Sequence, residues 1–261
     1  MLVAGVLLLV LTVVFSIIHV VQRRKIGHLL TAKQTTIGEL SNTARAVAGE
    51  LGGGGFEEMA ALTGTVHCET PLVAPLSGRP CLYYSMSVKR RYEEDYERED
   101  SEGNRRMETR RGTETMSTQS EGTGFALVDA SGSLPVQADG LDWSARIETV
   151  DRFEPQQGGL NIGFGRFSMT VSAIGGRRRT LGYEYEEHIV PVDGQFTVVG
   201  KVSDKSGALA VGRGGPMFLL TRQTREELIG SAKGTAQWTG IASGIGLIVG
   251  AILTIVGALV D

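Results

Sequence analysis

Two cysteines and a few histidines are the residues of this chain whose types could carry catalysis or metal binding. Cys68 and Cys81 are the only cysteines in the sequence. A cysteine nucleophile needs a thiolate of low pKa with a base nearby, and for Cys81 these would be Arg79 and the distant His188. A metal site would combine the cysteines with His67 and His188, but no Cys-x-x-Cys or His-x-x-x-His pair supplies chelating spacing. We therefore expect no catalytic residue, no metal and no cofactor. We interpret both cysteines as small, free core residues on adjacent strands.

The elements at the two ends of the chain are apolar runs of membrane-spanning length. Leu2–Val21 is interrupted only by glycine, threonine, serine and histidine, and Ile241–Val260 carries no charge. A helix rises about 1.5 Å per residue, so about 20 residues cross a hydrocarbon core of about 30 Å. The sequence therefore predicts two transmembrane helices, residues 2–21 and 241–260, flanking a polar domain.

Basic residues lie on the inner side of both runs and predict the orientation of the domain. Arg23, Arg24 and Lys25 follow the first run, and Arg222, Arg225 and Lys233 precede the second. Positive charge near the end of a span is retained on the cytoplasmic side, so we expect a cytoplasmic domain with both termini opposite. The alternative is a cleaved signal peptide and a secreted domain. The first run, however, lacks a basic start and a small-x-small cleavage site.

The second apolar run contains small residues at the spacing of helix-packing motifs. Gly240 and Gly244 form one GxxxG pair, and Gly246 and Gly250 form another. This spacing lets two helix backbones approach closely in lipid. We expect these glycines to pack against the first span or against a second copy of the chain.

An amphipathic helix is predicted between the first span and the domain. Residues 22–35 form a juxtamembrane connection, and residues 36–51 have apolar positions at helical spacing. Thr36 and Glu39 have the spacing of a capping box at the start of this helix. The alternative, a helix lying in the membrane interface, has little basic charge to favour it.

The middle of the chain, residues 63–223, has the pattern of a β-rich domain. Short β-prone runs alternate with glycine-containing turns, and no helical periodicity separates them. Two hairpins are predicted, one around the turn at 130–133 and the other around the turn at 191–194. The fold class is therefore a membrane protein whose two transmembrane helices flank a mainly antiparallel β domain, a small barrel or a sandwich, with one amphipathic helix.

A segment of mixed charge interrupts this pattern between residues 89 and 111. It contains eight basic and eight acidic residues and hardly any apolar ones. Balanced charges of this kind are typical of a solvated long hairpin or a mobile insertion. The whole chain has a net charge of −3, so we expect no nucleic-acid partner.

A second segment combines aromatic residues, glycines and arginines. Phe164 and Phe167 lie in a glycine-rich stretch, and Arg177, Arg178 and Arg179 follow it. These residues could rest on an anionic membrane surface, where each arginine would contribute about 1 kcal/mol. The alternative is a buried strand followed by a solvated turn.

Three blocks of the sequence resemble the GIDE family, also called the beside-a-membrane (BAM) domain. The first is Gly64-x-Val-x-Cys68 with the stretch from Pro71 to Tyr84, the second is residues 125–132, and the third is residues 187–200. The residues through which this chain is similar to the family are Cys68, Pro71, Pro75, Ser77, Gly78, Pro80, Cys81, Tyr83, Tyr84, Asp129, Gly132, Glu187, Pro191, Gly194 and Gly200. We interpret them as structural or ligand-facing.

The resemblance implies both a domain order and an activity. The order of helix, domain and helix is that of mitochondrial membrane-anchored ubiquitin ligases, in which a RING zinc domain follows the second span. A RING needs eight Cys/His ligands for two zinc ions, and this sequence has two cysteines and four histidines. The family's mitochondrial members also place the domain in the intermembrane space, which differs from the cytoplasmic side that the charges predict.

Two functions from different classes therefore follow from the sequence. The first is a non-catalytic membrane module that binds or scaffolds a protein or small ligand beside membrane lipid. The alternative is an E3 ubiquitin-protein ligase-like component that needs a RING supplied in trans. The loop from Pro71 to Cys81 favours the first, because three prolines and Gly78 predict a rigid turn and no acid–base pair.

Overall fold

A computed structural model describes residues 2–99, 104–156, 158–159, 161–171 and 177–260. The helices are α1 (Leu2–Thr31), α2 (Ile37–Leu51) and α3 (Arg225–Val260). The strands are β1 (Lys33–Gln34), β2 (Glu57–His67), β3 (Leu72–Val73), β4 (Pro80–Glu99), β5 (Arg105–Gly122), β6 (Phe125–Asp129), β7 (Gly132–Val136), β8 (Asp142–Trp143), β9 (Ile147–Pro155), β10 (Asn161–Phe164), β11 (Phe167–Thr170), β12 (Arg178–Pro191), β13 (Gln195–Ser203), β14 (Ala210–Gly212) and β15 (Leu219–Thr221).

Five strands close into a barrel in the order β2-β6-β7-β14-β13 and back to β2. Strand β2 pairs antiparallel with β13 along nine residues and then with β6, while β14 closes the ring by a short parallel pairing with β7. This five-stranded Greek-key order is that of the OB-fold. The interior is filled by alternating side chains such as Leu62, Leu127, Phe196 and Val198, all nearly inaccessible. The barrel thus forms the main core of the domain.

Helix α2 covers one end of the barrel. Thr36 accepts a hydrogen bond from the Glu39 amide at the N-terminus, and Gly52 ends the helix with a positive φ of 84°. Ile37, Leu40 and Ala44 are buried in the same cluster as the barrel interior. This helix lies in the stretch where the sequence pattern predicts it.

A second sheet is attached to the barrel through the long connections between its strands. Its order is β3-β4-β12-β9, with β5 on the free side of β4, and all its pairings are antiparallel. The hairpin predicted around 191–194 is wrong, because β12 belongs to this sheet and β13 to the barrel. Gly194, with φ of 108°, lies in the turn that carries the chain from one sheet to the other. The hairpin around 130–133 is confirmed by the pairing of β6 with β7.

Outside residues 100–103, the charged segment 89–111 belongs to a long antiparallel hairpin of β4 and β5 in this second sheet, as the first of the two predicted alternatives has it. Strand β4 pairs with β12 as far as Glu94, and Val88 is fully buried. Beyond that point β4 pairs only with β5, from Asp95 with Thr109 to Glu99 with Arg105. We call this two-stranded projection, Asp95–Glu99 and Arg105–Thr109, the charged arm.

Helices α1 and α3 form a long antiparallel pair, and both extend beyond the apolar runs. The stretches Val3–Thr31 and Arg225–Gly257 are long and apolar enough to cross a membrane. Most of the juxtamembrane connection predicted for residues 22–35 is therefore helical, since α1 continues to Thr31. Hydropathy marks only the apolar part of a helix, whereas the packing of α1 on α3 continues past it.

The helix pair is joined to the barrel by a buried cluster and by hydrogen bonds. Leu29 of α1 and Leu228 of α3 pack against Ala61, Val199 and Leu219 on the outside of the barrel strands. The Arg225 side chain donates to the Leu29 carbonyl at 3.0 Å and to the Leu30 carbonyl at 3.3 Å, so it caps the end of α1. The barrel is thereby fixed to both helices.

Of the four glycines that the sequence pairs, Gly240, Gly246 and Gly250 make close contacts with α1. Gly240 lies against the His19 ring, Gly246 against the Thr12 hydroxyl and Gly250 against Leu9. The Ser16 and Ser243 hydroxyls are 2.6 Å apart in the same seam. Gly244, the other member of the first pair, has no atom within 4 Å of its Cβ position. Self-association through the open side of α3 stays a prediction.

Candidate functional site

Cys68 and Cys81 lie in different sheets, and neither has the partners that a nucleophile needs. Cys68 follows β2 and donates to the Gly124 carbonyl, while Cys81 in β4 donates to the Leu72 carbonyl. The prediction that they sit on adjacent strands is therefore wrong. Burial raises the pKa of the Cys81 thiol to about 11, and the nearby Glu187 carboxylate adds to this. His188 pairs with Ser85, about 13 Å along β4 from Cys81.

Replacing Cys81 with serine is expected to lower stability without removing binding. The hydroxyl would be buried among Ala74 and Ile189, where a polar group costs about 1–2 kcal/mol beyond what its hydrogen bond returns. Thermal unfolding of the detergent-solubilised protein measures this loss, with Cys68→Ser, a half-buried site, as the milder control. Unchanged stability together with lost partner binding would identify Cys81 as a reactive thiol instead.

Glu187 of β12 is the most buried charged residue among those that the structure describes. It is 0% exposed, and its carboxylate accepts hydrogen bonds from the Leu76 amide at 2.6 Å and the Ser77 amide at 3.1 Å. The Thr149 hydroxyl donates to it at 2.8 Å. All these donors are neutral and belong to the protein, so the carboxylate holds a loop in place and is not positioned for acid–base chemistry.

The loop that Glu187 holds is the proline-rich segment of the first sequence block. Ala74 and Gly78 are joined by a backbone hydrogen bond of 3.0 Å around the turn, and Pro75 accepts from the Arg166 amide at 2.9 Å. Gly78 has φ of 70°, as a tight turn requires. Pro71 precedes β3, and Pro80 begins β4. This segment joins β3 and β4 and also supports the β10–β11 turn.

Asp129 ties the β6–β7 turn to the start of α2. Its carboxylate accepts from the Ile37 amide at 2.9 Å, the Ser131 amide at 2.7 Å and the Gly132 amide at 2.9 Å. The Ser131 hydroxyl accepts from the Gly38 amide at 2.7 Å, so two side chains of the turn cap the helix. Burial alone would raise the pKa of Asp129, but the hydrogen bonds from Ile37, Ser131 and Gly132 outweigh it and lower that pKa.

This lowered pKa predicts a stability that falls in acid. Because folding lowers the pKa of Asp129 below the ordinary aspartate value of about 4, the contribution of its carboxylate to folding stability is fully present above that pH. The contribution is lost as the pH falls through the lower folded value. Asp129→Asn should cost about 1–2 kcal/mol near neutrality and flatten the acid limb of a stability–pH profile. Asp139→Asn, whose side chain is 89% exposed, is the matched control and should leave the profile unchanged.

The other family-motif residues also make packing or pairing contacts. Tyr83 stacks on Trp143 with ring centroids 5.1 Å apart, and the Tyr84 hydroxyl donates to Glu121 at 3.1 Å. Pro191 ends β12, and Gly200 faces Phe218 in the barrel wall. The motif thus marks the junction of the two sheets, and its ligand-facing role stays a prediction.

At the base of the charged arm, two glutamates of β4 are each held between two arginines. Glu93 pairs with Arg111 at 2.9 Å and with Arg179 at 2.6 Å across the flanking strands. Glu94 pairs in the same way with Arg110 and Arg178. The pKa of the Glu93 carboxyl is lowered most by its hydrogen bond from Arg179. The pKa of the Glu94 carboxyl is lowered most by its hydrogen bond from Arg178. This network aligns the arm with the sheet.

Shortening the charged arm should leave the domain folded. Replacing residues 95–109 with Asn-Gly keeps both glutamates and their arginines, and a two-residue turn of this type suits an antiparallel pair. The arm contacts the rest of the domain through the Asp95 amide and through the Tyr96 ring, which lies under Arg110. Since its strands otherwise pair with each other, we expect a change below about 1 kcal/mol in unfolding free energy. Circular dichroism during heating measures it. A large fall in melting temperature would place the arm in the core.

The aromatic, glycine-rich segment packs on the second sheet rather than on an open surface. Phe164 and Phe167 lie against the cluster of Tyr183 and Tyr185, with Phe164 and Tyr185 centroids 5.5 Å apart. Arg178 and Arg179 are paired with the β4 glutamates, and Arg177 is exposed. These contacts follow the buried alternative. They argue against the predicted contact of these aromatic residues and arginines with a membrane surface, although no observation on a membrane decides it. Residues 160 and 172–176 of this region lie outside the described part of the chain.

A polar cleft of about 330 Å³ lies at the barrel rim beside β13 and β14. Its basic residues are already engaged, because Lys201 and Lys205 both pair with Glu57 at 2.5 Å. Arg213 lies 4.0 Å from Asp139. No group of three or more His, Cys, Asp or Glu that could hold a metal occurs in the described residues.

Several contacts that position these groups could not be predicted from the sequence. The partners of Glu187 are backbone amides and Thr149, and backbone amides have no sequence signature. Arg225 was counted only as a topology signal, yet it caps α1. His19, in the first apolar run, donates from Nδ1 to the Ala236 carbonyl at 2.7 Å, a contact that joins two helices distant in sequence.

Comparison with known proteins identifies one family. A family model described as GIDE, E3 ubiquitin ligase, matches residues 93–257. No curated protein and no solved structure matches the chain. The match runs from the outer part of β4 through α3 and covers more than half of the chain.

Proposed function

The chain belongs to the GIDE family, and from this premise we propose that it is a membrane-anchored, non-catalytic module that binds a protein partner beside a bilayer. The observation that carries the proposal is the continuous path from the apolar helices to the barrel. Leu29 and Leu228 are buried against the barrel wall, and Arg225 joins the two helices at that level. A barrel held in this way has a defined distance and orientation relative to the membrane.

The membrane anchoring is supported by the exposed surface of the helix pair. Apolar side chains such as Leu7, Ile17, Leu247 and Ile252 are more than half exposed. Exposed apolar surface on this scale is unfavourable in water and favourable in lipid. Alkaline carbonate extraction of membranes tests the anchoring, because release into the soluble fraction would exclude it.

The basic residues beside both apolar runs support a cytoplasmic domain. A cysteine introduced at Met107, which is 59% exposed on the charged arm, is the reporter for this orientation. An impermeant maleimide should label it only after the cells are opened. Labelling in intact cells would place the domain on the other side.

The charged arm supports the binding role, because it projects beyond the sheet and presents both signs of charge on exposed strands. Affinity purification from native membranes with the full-length arm and with the shortened arm tests it. A partner recovered only with the full-length arm supports the proposal. The same set of proteins with both forms would show that the arm does not bind them.

The family description favours a second candidate function, a component of an E3 ubiquitin ligase. The Cys and His residues of this sequence number six, fewer than a RING needs, so the zinc domain of such a ligase would lie outside these 261 residues. Ubiquitin conjugation in membranes with and without this protein separates the two candidates. Conjugates that disappear with it and return on its re-addition would favour the ligase component.

A further inference from the structure

A groove of about 450 Å³ lies between α1 and α3, on the part of the helix pair nearest the end of the apolar runs. It is lined by His19, Arg23, Ile26, Gly27, Leu30, Lys233, Ala236 and Gln237. Its size is that of a small-ligand site, and its wall combines apolar surface with cationic and polar groups.

The cations of the groove have no internal partners. In the described part of the chain, neither Arg23 nor Lys233 has an ion pair or a side-chain hydrogen bond. By contrast, Lys201 and Lys205 at the barrel rim are both paired with Glu57. Two unpaired cations facing one groove have a charge that a bound anion would complement.

His19 adds a fixed polar group at the deep end of the groove. Its Nδ1 donates to the Ala236 carbonyl at 2.7 Å, which leaves Nε2 as the free nitrogen. Gly240, one turn along α3 from Ala236, leaves room for the ring, because an added Cβ there would lie 3.0 Å from His19 Cε1. The ring is therefore held in one orientation at the groove.

The height of the groove matches the headgroup layer of a bilayer. Arg23 lies two residues, about 3 Å, beyond Val21, where the first apolar run ends. Trp238, which is 75% exposed, lies three residues before the second run, in the position of an interfacial aromatic residue. Leu30, 57% exposed, and Ile26 supply apolar surface in the same groove.

We propose that this groove binds the phosphate headgroup of an anionic phospholipid from the leaflet on the domain side. Arg23 and Lys233 hold the phosphate, and the apolar wall contacts the glycerol and the start of the acyl chains. Basic pockets between helices at this level are suited to such headgroups. The inference rests on the proposed membrane anchoring and adds to it a selective lipid.

The test compares lipid retention by wild-type protein and by two double variants of equal charge. Arg23→Gln with Lys233→Gln removes the groove cations, while Arg24→Gln with Lys25→Gln removes two neighbouring cations that do not line it. Full-length protein is purified from membranes of mixed phosphatidylglycerol and phosphatidylcholine, and bound lipid is measured by native mass spectrometry. We expect about a 25-fold loss of retained phosphatidylglycerol in the first variant only, the product of two basic contacts at an anionic surface.

A third variant fills the groove without changing its charge. Gly27→Leu is expected to displace the lipid without disturbing the helix pair, because an added Cβ at Gly27 meets nothing within 4 Å. Gly230→Leu, equally open and outside the groove, is its control and should retain the lipid. Thermal unfolding of each variant shows whether the helix pair is intact.

Several outcomes would overturn the site. Equal retention of both lipids by wild-type protein, or equal losses in the two double variants, would show only a general attraction between charges. Displacement by added inorganic phosphate would assign the groove to a soluble anion. Release of the wild-type protein by carbonate extraction would disprove the membrane anchoring and, with it, the lipid site. Retention in the membrane without a preference for phosphatidylglycerol would disprove the lipid site and leave the membrane anchoring standing.

Discussion

Replacing Glu187 with glutamine is expected to destabilise the domain by about 3 kcal/mol, one of the two largest effects of a single substitution that we predict. The carboxylate is fully buried and accepts from the Leu76 and Ser77 amides and from the Thr149 hydroxyl. Glutamine would remove the charge that strengthens these hydrogen bonds and would turn an NH₂ group toward a donor. At least one buried donor would then have no acceptor.

The neighbouring position provides the control. Glu186 precedes Glu187 on the same strand, points to the other face of the sheet and pairs with Lys89 at 2.7 Å, with about a third of its side chain exposed. Glu186→Gln should cost less than about 1 kcal/mol, as partly exposed ion pairs do. Denaturant unfolding followed by circular dichroism measures both variants. Similar losses at the two positions would mean that Glu187 does not hold the loop.

Gly64→Ala is expected to cost about 3 kcal/mol or more and to prevent normal closure of the barrel. An added Cβ would overlap the Val128 carbonyl oxygen, which belongs to the neighbouring strand β6. Backbone cannot move aside as a flexible side chain can, so the substitution separates β2 from β6 or bends both. At this point β2 passes from pairing with β13 alone to pairing with β6 as well.

Gly49→Ala is the matched substitution for Gly64→Ala. Gly49 lies in α2 with open space around its Cβ position, so alanine there should stabilise the helix by about 0.5–1 kcal/mol. The two variants have the same chemical change and should shift the unfolding midpoint in opposite directions. A Gly64→Ala protein as stable as wild type would show that β2 and β6 are not in close approach.

Local features of the fold could be predicted from the sequence because their signals are local. Thr36 and Glu39 mark the start of α2, and the turn at 130–133 marks the β6–β7 hairpin. The closure of the barrel had no such signal, since Thr65 pairs with Gln195, which lies 130 residues away. The turn at 191–194 has residues typical of a hairpin, but β12 before it pairs in the second sheet and β13 after it pairs in the barrel.

The candidate sites were predicted less well, because composition does not separate a contact surface from a core. Phe164 and Phe167 could equally have faced lipid, and only their packing on Tyr185 and its neighbours distinguishes the two. The groove at Arg23 and Lys233 depends on the register of two helices that are distant in sequence. Taken singly, Arg23 and Lys233 indicated only on which side of the membrane the domain would lie. Glu187 belonged to a recognised motif, but its partners could not be inferred.

The barrel closure has a consequence for how the protein is made. The ring needs β2 near the start of the domain and both β13 and β14 near its end, so the nascent chain cannot complete it until nearly the whole domain has been synthesised. Pairings this distant along the chain fold slowly. Until then β2, β6 and β7 form an open sheet whose edge strands β2 and β7 lack their later partners, which favours aggregation. With α1 and α3 as the proposed membrane anchors, α1 is synthesised before these strands and α3 after them, so the domain would begin to fold on a chain anchored at one end and finish as the second anchor follows.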